Sequence, residues 1–209
     1  MKRKGERRRN DQLCLSLFLL SICLVIPACG DGGGGGSSVS QPSLTMLVDM
    51  NDGTIYDIDT QLSWLKNADT AGLMTWDQAV TWAASLNNSG GYAGLTGWRL
   101  PTTAEPDATC GYQYNPGGGF PLQGYGYNCT GSEMGHLHYV SLGRAAGPND
   151  FSNTGPFTNV QAFSYWSGSE YAPNATSAWY FDFFYGTQGY IDKGANRYAW
   201  AVRPGARSR

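Results

Sequence analysis

Apolar and polar positions alternate along two short runs, 44–49 and 54–57, on either side of Asn51-Asp52-Gly53. A period of two sends one face of each run toward a core, and Asp-Gly tolerates the positive φ of a tight connection, so the segment predicts a β-hairpin. At Thr75 the period changes. Trp76, Ala79, Val80, Ala83 and Leu86 recur at helical spacing, Thr75 with Gln78 forms a capping box, and Asn87-Asn88 with Gly90-Gly91 ends the helix. A second helix is predicted over 133–142, with Ser132 as N-cap, Met134, Leu137 and Ser141 on one face and Gly143 as C-cap. The last third is strand-like: Tyr165-Trp166, 179–185, Tyr190-Ile191 and 198–202, with Gly, Asn and Pro between them. Alternation puts Trp179, Phe181, Phe183 and Tyr185 on the core side and Tyr180, Asp182 and Phe184 on the other. Residues 186–189 are expected to turn the chain back through Tyr190 and Asp192, and 195–197 to turn it again.

The N-terminus follows neither period. Lys2, Arg3, Lys4, Arg7, Arg8 and Arg9 precede an apolar run over 13–28, which is shorter than the ~20 residues of a stable transmembrane helix. It ends in Ile26-Pro27-Ala28-Cys29, the pattern of a lipoprotein cleavage box. The expectation is a signal peptide over 1–28 and a lipidated Cys29, with a short uncleaved anchor as the alternative. A Gly/Ser tether follows through residue 45, with an r.m.s. reach of ~22 Å. Gly30 after the cysteine points to the outer membrane rather than the inner one. One domain is expected over 46–204 and a tail over 205–209.

Removing the leader changes the charge. The whole chain has 14 Lys and Arg against 16 Asp and Glu; the leader takes six basic and two acidic residues with it, so the remainder is near −6. That sign disfavours nucleic acids and strongly sulfated polymers, which require clustered Lys and Arg. The membrane is expected to be met through the lipid alone.

Cys110 and Cys129 remain as an even pair in an exported chain and predict a disulfide, worth about 3 kcal/mol on the loop-entropy model. Their spacing does not suit a zinc site, and His136 and His138 do not complete one. Glu133 and His136 share a helical face as a metal pair would, but the mature chain's only other glutamates are Glu105 and Glu170. Asp49, Asn51 and Asp52 resemble the start of a calcium loop, yet the glycine falls one place early and Thr60 stands where a bidentate Glu is needed. No metal and no cofactor are expected.

Four ordered motifs carry a resemblance: Trp98-Arg99-Leu100-Pro101-Thr102, Tyr165-Trp166-Ser167-Gly168-Ser169-Glu170-Tyr171, Ala178-Trp179-Tyr180-Phe181 and Ala199-Trp200-Ala201-Val202-Arg203. Together they resemble the Lcl C-terminal domain family, a domain of unknown function, over residues 46–204. The resemblance implies an α+β, C-type-lectin-like fold with two helices on small antiparallel sheets, and it implies no catalytic residues. Glu105-Pro106-Asp107 is similar to the triplet of calcium-dependent lectins but stands in the wrong place in the chain for one. An enzyme of the formylglycine-generating type is the weaker alternative, because Cys110 and Cys129 sit in a Gly/Tyr-rich insert.

The function expected is therefore a lipid-anchored, non-enzymatic binding module of the cell envelope. Its partner would be a surface glycan or an envelope or host protein; a structural protein without a small ligand is the alternative. Tyr180, Asp182, Tyr190, Asp192, Asn196 and Arg197 are the candidate contacts, because Tyr with Asn combines rigid contact area with adaptable hydrogen bonds. The insert, with Tyr112, Tyr114, Tyr125 and Tyr127, is the other candidate surface.

Overall fold

The hairpin forms where alternation placed it. In the computed structural model, which describes residues 46–148 and 151–206, β1 (Leu47–Asp49) pairs antiparallel with β2 (Thr54–Asp57). Asn51 and Gly53 take φ of 56° and 88°, and the Asp49 and Asp52 carboxylates accept the backbone N–H groups of Asn51 and Thr54. The expected leader, Cys29, the tether and the first residues of the expected hairpin lie outside the described residues, as do 207–209. No helix among the described residues is long and apolar enough to cross a membrane.

Two larger sheets and a two-stranded one lie among the described residues. β2 pairs with β3 (Leu62–Leu65), whose other edge takes β11 (Val202–Pro204), giving the antiparallel order β1-β2-β3-β11. The second sheet combines β4 (Leu73–Met74), β7 (Ser164–Glu170), β8 (Ser177–Asp182), β9 (Thr187–Asp192) and β10 (Arg197–Tyr198) in the order β4-β10-β7-β8-β9. All its pairs are antiparallel except β10 with β7. The strand expected over 198–202 is thus two strands in different sheets, and residues 199–201 carry the chain between them.

Both faces of the five-stranded sheet are buried, which departs from the one-sided sheet that alternation suggested. On one face α1 (Trp76–Ser85) lays Trp76, Ala79 and Ala83 with Leu100, Trp166 and Ala178. Gln78 Oε1 accepts the Thr75 N–H at 2.9 Å, as expected of the capping box. Val80, placed on the core face by its spacing, is 38% exposed, because small alanines let α1 approach along a narrower stripe. On the other face Tyr165, Phe181 and Phe183 join Trp64, Trp200, Met134 and Leu137. Trp179 and Phe181 are core as expected. Tyr185 is not: β8 ends at Asp182, whose Oδ1 accepts the N–H groups of Phe184 and Tyr185 at 3.0 Å each, and the ring stands 45% exposed. The turn is therefore 183–186, and the residues expected to turn, 187–189, begin β9.

α2 (Glu133–His136) is shorter than predicted and runs into a wider π-helical turn, Leu137–Ser141, before Gly143 at φ 62° ends it. The Trp98-Arg99 motif ties these elements together. Arg99 exchanges two backbone hydrogen bonds with Val202, and its guanidinium grips Glu133 through two contacts of 2.7 Å. Asn87 Oδ1 accepts the N–H groups of Gly97 and Trp98.

The π-helical turn buries His138 completely, against the rings of Tyr139, Phe181 and Phe183 at 4.7, 5.3 and 5.8 Å. Burial, then the charge of Arg144, holds its pKa down to about 4, so the folded ring is neutral where the unfolded one, near 6.5, takes a proton. The unfolded state binds more protons in that window. Stability present above pH 6.5 is lost as pH falls toward 4, by on the order of 3 kcal/mol. Urea unfolding at either end of the window should show this loss in the wild type and a much smaller one in His138→Gln; equal losses would assign the effect elsewhere. Phe181→Ala should lower stability by about 3–5 kcal/mol at any pH, measured by thermal unfolding.

Candidate functional site

An uncharged insert supplies one wall of the site. Between Gly111 and Asn128 there is no Asp, Glu, Lys or Arg, so the segment is fixed without ion pairs, by backbone, by amides such as Gln113 and Gln123, by the disulfide at its base and by rings. It forms a hairpin of β5 (Tyr112–Tyr114) and β6 (Gln123–Tyr125), and Cys110 is bonded to Cys129 across its base, as expected. Gly126 and Gln188 exchange two backbone hydrogen bonds of 2.8 Å, and the buried Gln188 amide donates to the Gly124 carbonyl at 2.9 Å. These contacts dock the insert on the outer edge of β9. Gly126 has φ 88°, and a Cβ there would stand 2.6 Å from the Tyr112 ring, so the contact requires glycine.

Between insert and sheet lies a cleft of about 450 Å³, lined by Tyr114, Tyr125 and Gly126 from the insert and by Tyr180 and residues 187–190 from the sheet. Tyr190, 42% exposed, lies flat on Tyr171 with centroids 3.7 Å apart and planes 3° apart, and meets the edge of Trp179 at 5.6 Å. Tyr125 is stacked on Tyr112 at 5.5 Å and 21°. Gly189 is where Tyr180 leans across the strand, since an added Cβ would stand 2.8 Å from its hydroxyl. Burial raises the Tyr180 phenol pKa, an effect that Arg197 opposes. Beneath the cleft, Trp179 donates its indole N–H to Glu105, whose carboxyl is pushed up mainly by burial.

The six candidate contacts do not form one surface. Tyr180 and Asp182 pair with Gly189 and Thr187, whereas Tyr190 and Asp192 pair with Trp179 and Ser177, so the two sets point to opposite faces. A four-residue turn joins positions of opposite parity, and carrying the odd-even rule across it misplaces Tyr190 and Asp192. Asp182 Oδ2 accepts the Ser164 hydroxyl at 2.7 Å while its Oδ1 caps the turn, and Asp192 caps the next turn through the Gly194 N–H at 2.8 Å. Arg197 lies with Tyr180, its guanidinium 5.6 Å from that ring and 5.4 Å from Phe163. Its Nη1 donates to the carbonyl of Asn196, an exposed residue. Of the six, Tyr180 and Tyr190 line the cleft, each from its own face of the sheet at the outer edge of β9, beside Tyr114 and Tyr125 of the other candidate surface. The ring that backs Tyr190, Tyr171, and the amide that docks the insert, Gln188, had no local signal in the sequence.

The acidic groups weighed for metals are engaged elsewhere. Asp107 Oδ1 accepts from Thr109 and Oδ2 from Ser132, so it does not converge with Glu105. Glu133 holds Arg99 and the Thr102 N–H, while His136 Nε2 lies 2.7 Å from Asp59. Lys66 Nζ contacts Asp49 at 2.6 Å and, with the Asn51 N–H, lowers its pKa. Asp107, Cys110 and Cys129 do bring ligand atoms close together, but both sulfurs are spent in the disulfide.

A family model, the Lcl C-terminal domain, matches residues 53–203, and the chain belongs to that family. No curated protein matches the chain.

The disulfide generates a prediction. The wild type should run in unreduced mass spectrometry as a species two hydrogens lighter than its reduced form, and Cys110→Ser with Cys129→Ser should cost about 3 kcal/mol of stability. Two free thiols in protein isolated from its native source would refute the pairing there.

Proposed function

We propose that this member of the Lcl C-terminal domain family is a non-enzymatic binding module of the bacterial cell envelope, held by lipid on Cys29 and presenting the tyrosine cleft to a glycan or protein ligand. The observation that carries the proposal is the convergence of Tyr114, Tyr125, Tyr180 and Tyr190 from four strands on one cleft of about 450 Å³. Its size falls within the range of small-ligand sites, and tyrosine gives contact area with a polar tip at little cost in side-chain entropy. The C-type-lectin-like description belongs to the same proposal. It draws on the family's motifs and on two helices set against small sheets.

The anchor and the outer-membrane address rest on residues 26–30, and the acidic balance after the leader speaks against nucleic acid. Cys29→Ser should move the protein from the detergent phase to the aqueous phase, or leave the leader uncleaved; a processed variant that stays in the detergent would overturn the anchor.

Binding of the full-length protein to isolated envelope material and to a glycan array tests the cleft. Tyr190→Ala should weaken retention about tenfold while costing only about 1 kcal/mol of stability for the lost stack on Tyr171. Tyr180→Ala should cost more, because that ring is half-buried beside the α1 core. Retention unchanged by Tyr190→Ala would remove the cleft from the binding function.

A further inference from the structure

The cleft's lining is selective in its chemistry. Every ring in it is a tyrosine, although the chain also holds 7 Trp and 8 Phe, and no lining residue carries a charge. Trp64, Trp166, Trp179, Trp200, Phe181 and Phe183 go instead to full burial. The ring chosen for the cleft is thus the one with both a flat apolar face and a hydroxyl that donates and accepts.

From this we infer that the ligand is a neutral saccharide, one pyranose face resting on Tyr190 and another on Tyr125; the inference rests on the binding role proposed above and names its ligand class. Tyr171 is stacked on the Tyr190 ring and Tyr112 on the Tyr125 ring, so in each pair the second ring holds the platform, and Tyr190 and Tyr125 stay 42% and 37% exposed. A sugar ring offers apolar C–H groups to such a face and hydroxyls around its edge. The phenols and the Thr187 hydroxyl can meet those hydroxyls as donors or acceptors. A cationic ligand fits less well, since the lining has no carboxylate and the Arg197 guanidinium stands 5.6 Å from the Tyr180 ring. An anionic one finds no cation in the lining. A proline-rich peptide would use the ring faces, but its prolines have carbonyls to accept and no N–H to donate.

The test is titration calorimetry of the full-length protein in a sugar-free detergent, against cellohexaose, maltohexaose and mannohexaose, with hexagalacturonate and decaproline as controls. At least one neutral hexaose should bind saturably. Tyr190→Ala and Tyr125→Ala should each weaken it on the order of tenfold, Tyr190→Phe should weaken it less, and raising the salt about tenfold should leave it unchanged. Melting temperatures measured alongside separate lost binding from lost folding, and Tyr190→Phe, which keeps the stack, decides if Tyr190→Ala unfolds. Failure of all three neutral sugars, or equal binding of hexagalacturonate, overturns the inference. Decaproline binding that is lost in Tyr190→Ala overturns it too, while leaving the cleft a binding site. Envelope retention that ignores Tyr190→Ala would bring down the binding role itself.

Discussion

Trp200 is the side chain on which the architecture turns. It sits where the chain leaves one sheet for the other, fully buried, with its indole N–H given to the Leu65 carbonyl at 2.7 Å. Trp64 and Phe157 meet it edge-on at 5.3 and 4.8 Å, and Tyr165 and Phe183 approach at 5.6 and 5.5 Å. An indole buried without a partner for its N–H would cost what the hydrogen bond recovers, so the Leu65 carbonyl fixes where β3 lies relative to the crossover. Ala199 on one side of it packs with the α1 core and Ala201 on the other with the α2 core. Small neighbours let a large ring pass between two layers.

The cleft depends on this frame only indirectly. β9 is held by β8, and the insert reaches β9 through the Gly126 and Gln188 backbone pair, the Gln188 amide and the disulfide. A segment without charges and with its tyrosines turned outward cannot fold around a core of its own, so it borrows the edge of an existing sheet. That edge is also where Tyr190 lies flat on Tyr171. The cleft is thus made at a seam between the five-stranded sheet and a stapled hairpin, with rings from both sides.

Much of this was legible in the sequence because it is local. The Asp-Gly hairpin, the Thr75 and Gln78 box and the Cys110–Cys129 pair each follow from residues a few positions apart or from composition. The sides of the sheet were less so. Alternation along 179–183 reads correctly, but parity does not pass through the 183–186 turn unchanged, and the six candidate contacts divide between two faces for that reason. The long-range terms were not legible at all: that α1 covers the second face, that 199–201 switch sheets, and that Gln188 meets Gly124 are set by packing between segments far apart in the chain. The two tyrosine-rich surfaces each stood out, and only the fold brings Tyr180 and Tyr190 of one to a cleft with Tyr114 and Tyr125 of the other.

The bond from Trp200 to Leu65 spans 135 residues. β3 cannot acquire its last neighbour, nor the larger core its central ring, until almost the whole domain has left the ribosome. Contacts of such long range make for slow closure, because the entropy of a large loop must be lost before they form. A nascent chain built this way stays open through most of its synthesis, which is the state in which a polypeptide can still be threaded across a membrane.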